Sequence, residues 1–280
     1  MVMFEKSVIV VAHPDDEILW FSSILDKVDG VVICYLDGKS DPALSNGREK
    51  SLLEHPVKNI CSLEINSARV FNTADWNNPA ITRFGLNLSK REVIKEYEGN
   101  YYKVKDQLKN TLKDYGNVFT HNPWGEYGHE EHVQIYRAVK ELQGKMKFNL
   151  WFSNYCSNSS FNLMLRYISG FDSGYVTLPT NKALGNYVMG LYKENNCWTW
   201  YDDWKWFNEE AFMKDRNHLD EVKTYGHFFP LNMIKFDSGG AAAPDSTKPL
   251  KFLHKVFGKL ARAQLSRKDM IGKSHEVIYY

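Results

Sequence analysis

His13, Asp15, Asp16 and Glu17 crowd a single strand-to-helix turn in the stretch VIVVAHPDDEILWF at 8–21. Helix capping accounts for part of this. Pro14 suits a first helical position, and acids in a first turn oppose the positive end of the helix dipole. Capping does not account for His13. An imidazole at the carboxyl end of a strand and a carboxylate three residues later aim at one point, so His13 and Asp16 read as half of a metal site. The stretch HNPWGEYGHEEH at 121–132 holds candidates for the other half. His129 and His132 are three apart at a helix start and face one side of it; one completes the metal shell while the other stays free. Two nitrogens and one carboxylate suit zinc, or ferrous iron, with a position left for water, and an open position means catalysis.

The surrounding elements must bring these two stretches together. Residues 7–12 read as a buried strand, 15–27 as a helix and 31–36 as a second strand ending in Asp37-Gly38. A helical patch at 46–55 precedes a third strand candidate at 68–71, then a polar loop around Asp75. A long amphipathic stretch at 92–114 leads to a short strand at 117–120, and HVQIYRAVKEL continues as a helix. Strands alternating with helices predict an α/β fold with a Rossmann-like, mostly parallel sheet covered by helices. In such sheets ligands sit beyond the carboxyl ends of the strands, where both histidine-bearing turns would lie.

From about 150 the pattern changes to an apolar LWF strand, a Ser/Asn-rich loop at 157–162 and the aromatic segment CWTWYDDWKWFNEE. The expected organisation is one domain over 1–236, a linker or mobile loop at 237–249, and a C-terminal elaboration at 250–280. In the last, 250–268 reads as a basic amphipathic helix: Phe252, Val256, Phe257 and Leu260 stand against Lys251, Lys255, Lys259 and Arg262. Docking on the domain or contact with a membrane surface or anionic sugar carrier both fit that pattern.

The chain has 280 residues, 43% of them hydrophobic, and a formal charge of +1. This balance gives no overall bias toward nucleic acid, and none is expected as a partner. Four cysteines without a CxxC pair signal neither a zinc ribbon nor a thioredoxin-like motif. The opening apolar run is too short for a membrane span and lacks a signal-cleavage pattern, so a reducing, cytoplasmic setting is expected. No GxSxG, Walker A or GxGxxG pattern occurs.

AHPDDE after the first strand, with LDGK, NGREKSLLE and VFTHNPWGEYGHEEHVQIYRAV further on, resembles the PIG-L/LmbE-like metal-dependent de-N-acetylases over roughly 7–140. The resemblance implies that His13, Asp16 and His132 are the metal ligands and Asp15 the general base. It makes His129 the oxyanion partner and proton donor, with Glu131, where the family often has aspartate, tuning it. Tyr127 matches a tyrosine near the reacting carbonyl. Arg48 resembles a substrate-contacting arginine, although Ser51 replaces the usual glutamate three residues later and Pro56 interrupts the expected helix.

Amide hydrolysis at neutral pH needs a nucleophile, an electrophile and a proton for the leaving amine. A metal supplies the first two, Asp15 takes the proton of the water, and His129, if protonated, stabilises the oxyanion and protonates the nitrogen. The implied substrate is an N-acetylated amino sugar, free or as its nucleotide, lipid or glycan conjugate. The alternatives are hydrolysis of another small amide, a non-catalytic metal- or sugar-binding protein, and a sugar-nucleotide transferase. The last calls for carboxylate-rich ligands and has no use for two histidines. Asp75 suits contact with sugar hydroxyls or a loop cap, and His121 the pocket lining or a structural role. Trp198, Trp200, Tyr201, Trp204 and Trp206 suit either a stacking floor or the core.

Overall fold

Strand β1 (Ser7–Val11) is the centre of the architecture, and all five of its residues are buried. The computed structural model describes residues 4–36, 41–167, 171–215 and 230–236. In chain order β1 leads to α1 (Asp16–Leu19), β2 (Gly30–Leu36), α2 (Pro42–Leu53) and β3 (Ile60–Asn66). A two-stranded ribbon, β4 (Ile81–Thr82) and β5 (Gly85–Leu86), precedes α3 (Arg91–Thr111), β6 (Asn117–Thr120) and α4 (Glu130–Met146). The described chain continues through β7 (Asn149–Ser153), β8 (Tyr155–Ser157), α5 (Phe161–Tyr167), β9 (Phe171–Pro179), α6 (Lys182–Glu194), β10 (Glu209–Asp215) and β11 (Asn232–Ile234).

Seven strands form the main sheet in the order β3-β2-β1-β6-β7-β10-β9. The five from β3 to β7 run parallel, whereas β10 is antiparallel to both its neighbours. The expected α/β, mostly parallel architecture is therefore present. The chain first moves outward from β1 through β2 to β3, then returns to place β6 on the other side of β1. This reversal makes a crevice beyond the carboxyl ends of β1 and β6, where the two histidine-bearing turns emerge.

Three elements differ from expectation. The third strand is β3, not 68–71: ICSLEIN interrupts its apolar residues with Ser62, Glu64 and Asn66 and is only partly buried, so it makes no apolar run, yet its backbone pairs in parallel with β2. In the 68–71 segment, Ala68 and Val70 instead pack with Leu88 and Tyr97 in a separate small cluster. The helix expected over 15–27 is a single turn followed by further turns. The buried Glu210 carboxylate takes the Ser23 backbone N–H at 2.9 Å, together with the hydroxyls of Ser22 at 2.8 Å and Ser23 at 2.6 Å. Its remaining contact is Tyr155 Oη at 2.9 Å. The helix at 46–55 instead runs from Pro42, capped by Asp41 accepting from the Leu44 N–H at 3.0 Å, and stops before Pro56.

Glu210→Leu should destabilise the protein by roughly 3 kcal/mol in urea denaturation, because it strands a buried amide and hydroxyls without an acceptor. Glu210→Gln, which keeps the shape and one acceptor, should cost less.

Trp204 and Trp206 are core residues, with Trp206 donating to Asn186 Oδ1 at 2.8 Å. Among the described residues no helix is long and apolar enough to cross a membrane. Asp37-Gly38, the loop expected at 237–249 and the helix expected at 250–268, with the membrane contact considered for it, lie outside the described residues.

Candidate active site

The turn after β1 is held by its own acids. Asp16 Oδ2 accepts the His13 backbone N–H at 2.8 Å, and Oδ1 accepts Trp20 Nε1–H at 2.8 Å. Asp15 adopts a left-handed backbone with φ 101°, a conformation that costs energy outside glycine and is least unfavourable for Asn and Asp. Glu17 stabilises it by accepting the Asp15 N–H at 2.9 Å, while its other oxygen accepts Tyr192 Oη–H at 2.8 Å. The third acid of the motif thus shapes the turn that presents the first two.

The Asp15 carboxylate is 4% exposed. Thr199 Oγ1 donates to Asp15 Oδ2 at 2.5 Å, and Arg48 Nη2 reaches the Thr199 hydroxyl at 3.5 Å. Burial and the neighbouring Asp16 charge push Asp15 up to about 7, with Arg48 and Thr199 pulling the other way. A carboxylate so poised exchanges a proton readily near neutral pH.

The loop after β6 supplies the opposite wall. Glu126 sits in a tight turn in which Gly125 has φ +70°, and a Cβ on that glycine would lie 2.6 Å from the His129 carbonyl oxygen. The turn aims the Glu126 carboxylate inward. Oε1 accepts the Asn122 N–H at 2.8 Å, while Oε2 accepts from His132 Nδ1 at 2.8 Å and His121 Nδ1 at 3.1 Å. Burial alone would raise Glu126, but His121 and His132 hold it below its ordinary value.

His132 Nδ1 faces Glu126, and its Nε2 lies 3.2 Å from Asp16 Oδ1. That Nε2 is buried and has no hydrogen-bond partner among the described residues. On the other side, His13 Nε2 pairs with Glu131 Oε2 at 2.8 Å, which directs Nδ1 to Asp16 Oδ2 at 3.4 Å. Burial would lower His13, but Asp16 and Glu131 outweigh it and push the group up to about 10. Burial would raise Asp16, but His132 and His121 hold it well below the usual carboxylate range. The cluster therefore draws in positive charge, a proton or a divalent ion that displaces it.

Two overlapping groups, His13/His129/His132 and Asp16/His121/His132, each bring their donor atoms within 4.8 Å of one another. His121 is poorly suited as a ligand, since its Nε2 already accepts the Ala12 N–H at 2.8 Å. His129 Nδ1 accepts the Glu131 N–H at 3.1 Å as the cap of α4, leaving Nε2 as its outward atom. Burial and the neighbouring His132 and His13 hold His129 well below its ordinary value, so it is neutral with its proton on Nε2. His132 is common to both groups, with His13 and His129 on one side of it and Asp16 and His121 on the other.

The structure moves one expected residue and decides between the two roles left open for two others. Glu131 does not reach His129 with its carboxylate; it orients His13 and is held by Ser67 Oγ at 2.9 Å and the Ala68 N–H at 2.8 Å. His121 does not line the pocket: it is fully buried behind Asp16 and stacks on His132 with ring centroids 3.8 Å apart. Asp75 is exposed and caps its own loop, accepting the N–H groups of Asn77 at 3.1 Å and Asn78 at 3.3 Å. It does not join the cluster among the described residues.

The other expected residues converge. Tyr127 lies over the site, its ring centroid 5.8 Å from that of His129 and 5.3 Å from that of His132. Arg48 is 3% exposed and lies behind Asp15 through Thr199. Trp200 packs on Tyr127 at 4.6 Å and parallel to Phe236 at 6.1 Å, so this part of the aromatic segment borders the site. Phe71 comes within 5.2 Å of His129. It is presented by a segment that Glu130 secures through the N–H groups of Asn72, Thr73 and Ala74 at 3.1, 2.7 and 2.7 Å.

Glu126 and Thr199 are site residues that spacing alone did not single out, and Glu17, named in the opening turn, had no role assigned to it. Glu126→Gln should weaken divalent-metal affinity by about 10- to 100-fold in a chelator competition, because an uncharged partner no longer fixes His132 with its proton on Nδ1.

Residues 8–143 match the family model PIG-L, GlcNAc-PI de-N-acetylase. A protein of Acanthamoeba polyphaga mimivirus, itself uncharacterised, is 31% identical over 160 residues, covering 54% of this chain and 62% of that protein. The chain thus spans less than two thirds of the length of that curated relative. A deacetylase of teicoplanin biosynthesis, solved with teicoplanin, aligns over 76% of this chain and 99% of its own at 13% identity, with a TM-score of 0.46. The zinc-inhibited form of teicoplanin deacetylase Orf2 aligns over 76% of this chain and 100% of its own at 12% identity, with a TM-score of 0.47.

Proposed function

We propose, from the premise that residues 8–143 are a PIG-L-type region, that this chain is a metal-dependent hydrolase removing acetyl groups from an N-acetylated amino sugar or its conjugate. One observation carries the reading. A buried His132 Nε2 with no hydrogen-bond partner among the described residues lies 3.2 Å from Asp16 Oδ1, and Asp15 is next in sequence to that acid.

His13, Asp16 and His132 would hold the ion, zinc or ferrous iron by donor type. Such an ion supplies Lewis acidity, polarising the amide carbonyl and making water a better acid. Asp15 takes a proton from the attacking water as the new C–O bond forms. The tetrahedral oxyanion accepts the Nε2–H of neutral His129, which stabilises it without giving up the proton. Protonated Asp15 then passes its proton to the amide nitrogen as the C–N bond breaks, releasing the amine and acetate. Glu126 and Glu131 act one step back, each holding an imidazole in one tautomer. Tyr127, Phe71 and Trp200 supply an apolar wall that suits the face of a sugar ring.

The test is to incubate metal-replete protein with free, nucleotide-linked, lipid-linked and glycan-linked N-acetylhexosamines and measure released acetate. Acetate from at least one class is expected. None from any class would overturn the reading, and turnover confined to non-sugar amides would replace the substrate while keeping the chemistry.

A further inference from the structure

Thr199 lies well beyond the PIG-L match at 8–143, on the segment that follows α6. The residue is exposed, yet its hydroxyl reaches a carboxylate that is 4% exposed. Its 2.5 Å bond to Oδ2 is the only hydrogen bond donated to the Asp15 carboxylate among the described residues. Rotation of an aspartate carboxylate about its last bond is soft, so packing alone sets its plane loosely. A single well-anchored donor fixes it and leaves the other oxygen for a second partner.

The anchoring is on the page. Cys197 N–H donates to the Tyr192 carbonyl at 2.9 Å, and Cys197 Sγ sits 3.2 Å from Ser51 Oγ on α2. Trp198 Nε1 donates to the Tyr201 carbonyl at 3.2 Å, and Trp200 packs on Tyr127. The residues on either side of Thr199 are thus tied down, and Arg48 reaches its hydroxyl from α2 at 3.5 Å. The geometry points to Thr199 as a positioning residue: its hydroxyl, donating to Oδ2, sets the plane of the Asp15 carboxylate and directs Oδ1 to the reacting water. The inference rests on the proposed role of Asp15 and adds that the chain beyond the PIG-L region completes the site.

Thr199→Val, Thr199→Ser and Asp15→Asn test it through acetate-release kinetics, thermal unfolding and crystal structures of the three variants. Thr199→Val keeps shape and removes the donor, and a hydrogen bond to a charged group is worth about 10- to 100-fold. We expect kcat to fall by about that factor with KM and melting temperature nearly unchanged, and the Asp15 carboxylate to rotate in the crystal. Thr199→Ser should restore both. An Asp15 carboxylate that keeps its plane in Thr199→Val overturns the inference whatever the kinetics, as does a kcat loss that serine does not rescue. Full turnover by Asp15→Asn would instead defeat the general-base reading, and the crystallographic comparison would still decide whether Thr199 holds that carboxylate.

Discussion

Asp16→Asn and His132→Ala are each expected to strip the purified protein of the divalent ion proposed for it. Asp16 faces His13 Nδ1 at 3.4 Å and His132 Nε2 at 3.2 Å, one through each carboxylate oxygen, so it is the shared member of the donor set. Asparagine retains an oxygen that can accept from the backbone of the turn, so the variant tests the charge rather than the fold. His132→Ala removes the lone pair that Glu126 directs into the cluster. Elemental analysis after dialysis should find about one ion per chain in the parent and a small fraction of that in either variant, since ligand removal forfeits most of the binding free energy. Acetate release should fall with it. Asp75→Ala, in an exposed loop cap, serves as the control with unchanged metal. Unchanged metal content in both ligand variants would remove the donor set from consideration.

Asp15→Asn separates turnover from metal binding. Asn is among the few residues that tolerate the left-handed backbone found at Asp15, and its side chain can still accept the Thr199 hydroxyl. It cannot take a proton from water at neutral pH. Turnover should therefore fall by about 10²- to 10⁴-fold, the ordinary contribution of a general base, while metal content stays at the parental level. The two quantities need to be measured on one preparation. Near-native turnover, or metal loss as complete as in Asp16→Asn, would contradict the separate roles given to these adjacent acids.

The apolar runs of β1, β2 and β6, and the amphipathic patterns of α3 and α4, could be read directly from the chain because burial imposes a period on side-chain type. The ribbon ICSLEIN could not. Its place in the sheet depends on backbone pairing with β2, which leaves little mark on a partly exposed strand. The opening turn was legible as His13, Asp15 and Asp16, yet the length of the helix after it was not. That length depends on Glu210, far along the chain, which takes the Ser23 N–H.

By itself the sequence determined that a histidine and an acid leave one strand end while two more histidines, three apart, open a later helix. Local geometry is enough for that, since spacing within a turn fixes which side chains share a side. Only the tertiary structure decided how each ring is held. Glu131 lies two residues from His129 but serves His13 across the crevice, because the start of α4 turns its carboxylate toward Ser67 and β1. Glu126 serves His132 and His121 because a left-handed turn at 125–126 folds its side chain back inward. Asp15 is paired with Thr199, brought in by a segment on the far side of α6. Which lone pairs remain bare depends on partners distant in sequence, and no periodicity along the chain records those contacts.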